Sequence, residues 1–78
     1  MKITIESTSK FVTVLNQGGG DVQARLWEGY TESGIPVHCY VTRIAAGVGA
    51  DLSQFERELR ETRAPSADVA AIPMRMIL

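Results

Sequence analysis

Apolar and polar residues alternate along the first half of the chain, and the period then changes. In "KITIE", Ile3 and Ile5 share one side while Lys2, Thr4 and Glu6 share the other, the period-two pattern of a half-buried strand. "STSK" supplies turn-forming residues. "KFVTVL" is rich in β-branched and aromatic residues, which favours a second strand. Val12 and Val14 fall on one face, and Phe11, Thr13 and Leu15 on the other. The two strands are expected to form an antiparallel hairpin. "NQGGGD" interrupts the alternation, because glycine runs lose too much conformational entropy inside a strand. No Lys-Ser/Thr pair and no helix follows it, as a phosphate-cradling loop requires, so a flexible hairpin loop is expected.

"DVQARLWEGYT" predicts a third strand, with Val22, Ala24 and Leu26 opposed to Gln23, Arg25 and Trp27. "ESGIP" predicts a turn, and "VHCYVTRIA" a fourth strand with Val37, Cys39 and Val41 opposed to His38, Tyr40 and Thr42. With Ser33 and Gly34 at the centre of the turn, Leu26 faces Val41, Trp27 faces Tyr40 and Glu28 faces Cys39. A longer loop ending at Pro36 would shift this register. The first register pairs apolar with apolar on both faces. It also sends Glu28 inward beside Cys39 unless a bulge before Gly29 turns it out.

The period lengthens at "DLSQFERELRETR", where Leu52, Phe55 and Leu59 form one apolar stripe of a helix. Asp51 with Gln54, and Ser53 with Glu56, match the capping-box spacing. Glu56 with Arg60 and Arg57 with Glu61 are (i, i+4) pairs on the wet side, and Pro65 ends the helix by Ala64. "PSADVAAIPMRMIL" closes with Met74, Met76, Ile77 and Leu78. Leaving these exposed costs about 25 cal/mol per Å², so the segment is expected to be extended and packed, as an edge strand or across a neighbouring subunit. The fold read from this pattern is α+β in a single domain, 1–78. It is an antiparallel four-stranded sheet in the order β-β-β-β-α, with one helix on one face and room for a short fifth C-terminal strand.

Composition narrows the chemistry. The chain is 78 residues long, 45% hydrophobic and 22% charged, a globular composition. Cys39 is the only cysteine and His38 the only histidine, so neither an intrachain disulfide nor a structural zinc site of four Cys/His ligands can form. Small domains lacking these supports often self-associate, and a homodimer is expected. The net charge of −1 argues against a sequence-independent nucleic-acid binder. "MKITIESTSK" lacks the apolar core of a signal peptide, and no run approaches the roughly 18 apolar residues of a membrane span. The expectation is a cytoplasmic protein, or one in a host cytoplasm if the gene is viral.

His38 and Cys39 are adjacent on a strand and so point to opposite faces, which removes a nucleophile-base pair. Glu56, Glu58 and Glu61 have basic neighbours on the helix and read as a solvated face. No catalytic, cofactor-binding or metal-binding residue is assigned, and the protein is not expected to be an enzyme. Arg25, Trp27, His38 and Tyr40 remain as a candidate interaction surface, sharing one face in the first register. Trp, Tyr and Arg dominate protein–protein hot spots. Stacking of single-stranded bases is the alternative, which the acidic balance disfavours. The same face could instead be covered by a twin subunit or by the chain's own C-terminus.

The residues "ARLWEGYTESGIPVHCYVTRIA", "SQFERELRETRAPS" and "RMIL" resemble a group of small uncharacterised proteins of phages and prophages of Gram-negative bacteria. The resemblance runs from about Ala24 to Leu78 and rests on the wording around Trp27-Glu28-Gly29 and Ser33-Gly34-Ile35-Pro36. It implies a viral accessory gene: an inhibitor of host defence similar in kind to anti-CRISPR proteins, or a virion or assembly component. It assigns a role to no residue.

Overall fold

The computed structural model describes residues 1–15 and 18–77. Three strands form an antiparallel meander: β1 (Ile3–Leu15), β2 (Asp21–Thr31) and β3 (Pro36–Val41). They are followed by α1 (Leu52–Leu59), the short α2 (Ala67–Ala70) and β4 (Arg75–Ile77). β4 joins β1 in parallel, so the sheet runs β3-β2-β1-β4. The expected four antiparallel strands with one helix are therefore incorrect: the antiparallel sheet has three strands, and two short helices accompany it.

The difference begins at "STSK", which does not turn the chain. Ile3 to Ser7 pair with Thr31 to Trp27, and Phe11 to Leu15 then pair with Arg25 to Asp21, so Thr8, Ser9 and Lys10 together oppose Leu26. The polar run is a bulge inside one long strand. Thr8 is fully buried there. Its hydroxyl donates to the Leu26 carbonyl at 2.6 Å and accepts from the Lys10 N–H at 3.3 Å. Turn-type side chains satisfy local backbone groups in a bulge as well as in a turn. On the outer side, the Ser9 N–H donates to the Arg63 carbonyl at 2.9 Å and the Arg63 N–H to the Ser7 carbonyl at 3.2 Å.

Because the bulge shifts the register by an even number, alternation survives it. Val12 and Val14 of β1 and Ala24 and Leu26 of β2 bury one face, joined by Val69 of α2, with Ile72 packed against them. The core face is thus covered by the segment after α1, not by α1 itself. Ser66 caps α2 by accepting the Val69 N–H. Lys10 serves the other end, its Nζ donating to the carbonyls of Ala70 at 2.7 Å and Ile72 at 2.5 Å, where helix carbonyls lack partners.

Glu28 explains how that cover is anchored. Its side chain is only 12% exposed. It accepts from the Ser66 N–H at 2.7 Å and from Arg63 Nη1 at 3.1 Å, while Arg63 Nε also meets Glu6 at 3.2 Å. The Ser66 backbone N–H is the main cause holding the Glu28 carboxyl below its ordinary pKa. The Ser66 side chain and Arg63 act in the same direction, against burial, which raises it. No bulge turns Glu28 outward: it faces inward and is paired. The adjacent Gly29 is required for a different reason, since a Cβ there would lie 1.8 Å from the Thr4 carbonyl oxygen.

The β2–β3 hairpin closes through Glu32, Ser33 and Gly34. The Gly34 N–H donates to the Thr31 carbonyl and the Thr31 N–H to the Ile35 carbonyl, both at 3.0 Å, with Gly34 at φ +87°. This is a three-residue loop with glycine in the left-handed position. It places Leu26 opposite Tyr40, Trp27 opposite Cys39 and Glu28 opposite His38, one residue away from the expected register.

On the opposite face, Asp51 caps α1 as its spacing predicts. Its Oδ1 accepts from the N–H groups of Ser53 at 3.0 Å and Gln54 at 3.1 Å. The helix stops at Leu59 rather than running to Arg63, and none of its residues is buried. At the C-terminus, the Thr13 N–H donates to the Met74 carbonyl at 2.8 Å just before β4. The Asn16–Gln17 part of the glycine loop and Leu78 lie outside the described residues. Among the described residues no helix is long and apolar enough to cross a membrane.

Candidate functional site

A one-residue shift in pairing changes which side chains share a face, and here it divides the candidate surface. Arg25 and Trp27 lie with Val37, Cys39 and Val41 on the α1 side, whereas His38 and Tyr40 lie on the core side with Leu26, Glu28 and Tyr30. The four residues therefore do not form one patch. His38 and Tyr40 meet each other instead. Their rings are edge-on at 5.5 Å, and the Tyr40 hydroxyl and His38 Nε2 are 3.3 Å apart. Both are exposed beyond the cover of α2, next to an exposed Tyr30. Cys39 sits across the strand from this pair, so no thiol–imidazole contact exists.

Trp27 is half-buried and lies where three clefts meet beneath α1. The first is a groove of about 210 Å³ lined by Trp27, Val41, Ile44 and Leu59, with Thr42 and two arginines, Arg25 and Arg43. The Arg25 guanidinium stands 4.5 Å from the centre of the Phe11 ring, a cation–π arrangement that leaves its edge donors available. Among the described residues neither Arg25 nor Arg43 has a carboxylate partner. The second cleft, of about 310 Å³, carries Glu6, Glu58 and Glu61 with Arg63. The third, of about 170 Å³, is mainly apolar, with Phe55, Ile44 and Leu59.

The chemistry of the groove follows from its lining. Guanidinium forks match carboxylates in a bidentate manner, and the apolar side chains between them suit an aliphatic or aromatic group. The sequence pattern alone gives Arg43, Ile44 and Leu59 no role in a site. Arg43 reads as a strand-end charge and Leu59 as part of a helix stripe. Only the true register, with Arg25 opposite Val41, reveals that Arg43 follows onto the same face.

No family model, curated protein or solved structure matches the chain.

Proposed function

We propose that this protein acts by binding another protein, and that the groove beside Trp27 receives an acidic segment of that partner together with a neighbouring aromatic or aliphatic side chain. The observation that carries this reading is the convergence of two carboxylate-free arginines and an apolar lining on one half-buried tryptophan. Trp and Arg are the residue types whose truncation costs most at interfaces. A short acidic segment suits the site better than single-stranded nucleic acid. A strand passing Trp27 into the second cleft would meet Glu6, Glu58 and Glu61 beside the single Arg63, and phosphates there would be repelled on balance. On our reading of the sequence resemblance to phage proteins, we propose a partner in a bacterial host. An inhibitor of host defence, similar in kind to anti-CRISPR proteins, is the role we favour over a virion component.

Trp27 is the only tryptophan, so its emission reports the groove directly. Selection from a random peptide library should return sequences that join Asp or Glu to an aromatic or aliphatic residue. Their binding should shift Trp27 emission to the blue. Arg25→Ala and Arg43→Ala should each weaken that binding about tenfold, the loss of one charge-assisted contact. Enrichment of basic peptides, or binding indifferent to both substitutions, would refute the groove. For the cellular role, expression in a defended host should raise phage plating efficiency. Recovery of the protein in purified particles, with plating unchanged, would overturn the inhibitor role.

A further inference from the structure

The two edges of the sheet differ. The outer edge of β1 is taken up between Ser7 and Leu15 by Arg63, Met74 and β4, which leaves Ile3–Glu6 uncovered there, a stretch that carries the charge of Glu6. Beyond β3 no backbone partner exists among the described residues. The Thr31–Ile35 bond sets the phase of the hairpin. With alternate pairs bonded, Val37, Cys39 and Val41 point their backbone groups at β2, and His38 and Tyr40 point theirs outward. Exposed edges are ordinarily protected by short length, prolines, lysines, inward charges or bulges, and of these β3 has only its six-residue length and the proline at its first residue. Pro-Val-His-Cys-Tyr-Val contains no Lys, Arg, Asp or Glu, and its pairing with β2 is unbroken.

We propose that this edge pairs antiparallel with β3 of a second copy, about a two-fold axis that passes between the two Cys39 residues. His38 then exchanges both backbone bonds with the partner's Tyr40, Tyr40 does so with the partner's His38, and Val37 lies opposite the partner's Val41. The alternatives are poorer. An axis at His38 sets Pro36 opposite Tyr40 and loses a bond in each copy, because proline has no N–H. An axis at Tyr40 leaves Pro36, Val37 and His38 without a partner inside β3. Three observations favour a second copy over a foreign strand. The edge is complementary to itself in this one register. Its lack of charge means that two copies meet without repulsion. And the buried apolar core of the described residues is only Val12, Val14, Ala24, Leu26 and Val69, a small core of the kind that association supports. The joined sheet also sets the Tyr30, His38 and Tyr40 rows of both copies side by side on one face. This inference does not rest on the groove reading.

The test is made on the intact chain. Sedimentation equilibrium should give a dimer. Opposed residues in a non-hydrogen-bonded pair have Cα atoms about 4.5 Å apart, within disulfide range. Diamide, itself reduced as it takes up two hydrogens, should therefore oxidise the two Cys39 thiols to one disulfide and give a covalent dimer in dilute protein. His38→Pro removes an N–H that faces only the open edge, a position where strands tolerate proline. It should keep the circular dichroism of the wild type, raise the dimer dissociation constant about thirtyfold through two lost bonds per dimer, and suppress the cross-link. A wild type that stays monomeric at millimolar concentration overturns the proposal, even if it captures a foreign extended peptide. So does a dimer that fails to cross-link through Cys39. If His38→Pro does not fold, the wild-type cross-link alone decides.

Discussion

Replacing Glu28 with Gln keeps the size of the side chain but removes the charge that anchors the residue 63–66 segment to the sheet. In the folded protein this carboxylate accepts from the Ser66 N–H at 2.7 Å and Arg63 Nη1 at 3.1 Å while only 12% exposed. Hydrogen bonds to a charged group at such a site are each worth about 1.5–3 kcal/mol, against about 0.5–1.5 for neutral ones. Glutamine can still accept from one donor. The expected net loss at pH 7 is therefore about 1–3 kcal/mol, a fall in Tm of roughly 4–8 °C for each kcal/mol in a domain of this size. The sign with pH follows from linkage. The folded pKa of Glu28 is lowered, so its contribution is complete above the unfolded glutamate value of about 4.3. It disappears as pH falls through the lower folded value. Melts of wild type and Glu28→Gln at equal concentration should differ by a constant amount from pH 7 to about pH 5 and converge in stronger acid. Curves that stay parallel down to pH 3, or a variant as stable as wild type at pH 7, would refute the anchor.

Leu26→Ala empties the most enclosed position of the core and should cost about 2–5 kcal/mol by chemical denaturation. Gly29→Ala forces a Cβ against the Thr4 backbone and should cost about 3 kcal/mol or more; a neutral result would mean that β1 and β2 separate more easily than the pairing implies. Asp51→Ala removes the acceptor for the Ser53 and Gln54 N–H groups, so amide exchange should speed up in α1 while the β2 amides stay protected, and Trp27 emission should move to the red as the helix frays.

The parts of the fold that could be read from sequence are those set by local periodicity. The faces of β2 and the second half of β1, the start of α1 at Asp51 and the short strand Arg75–Ile77 follow from residues within a few positions of one another, whereas the rest of "PSADVAAIPMRMIL", expected to be extended, contains α2. What could not be read depends on distant partners. "STSK" carries turn chemistry, but whether Thr8 turns the chain or fills a bulge is decided by the Leu26 carbonyl eighteen residues away. The choice between two hairpin loops rests on a single residue of difference, and that difference separated Trp27 from Tyr40. Glu28 looked out of place because its partners, Arg63 and Ser66, come from a segment with no strong pattern of its own. α2 is one helical turn held by the Ser66 cap and Lys10, too short for any period to show. The candidate site suffered accordingly. Arg25 and Trp27 were found because their residue types stand out, but Arg43 joins them only through the register.

The cover over the core also has a consequence for how the chain is made. The meander is built from neighbouring hairpins and can close early, since short loops cost little entropy. The groups that seal its apolar face arrive much later: Lys10 meets Ile72 sixty-two residues along the chain. At ordinary translation speeds the roughly thirty residues between Val41, the end of β3, and Val69 take about one to six seconds to synthesise. Through that interval the nascent chain holds a sheet whose hydrophobic side still lacks Val69 and Ile72, so this is the stage at which the chain is most open to association with its neighbours.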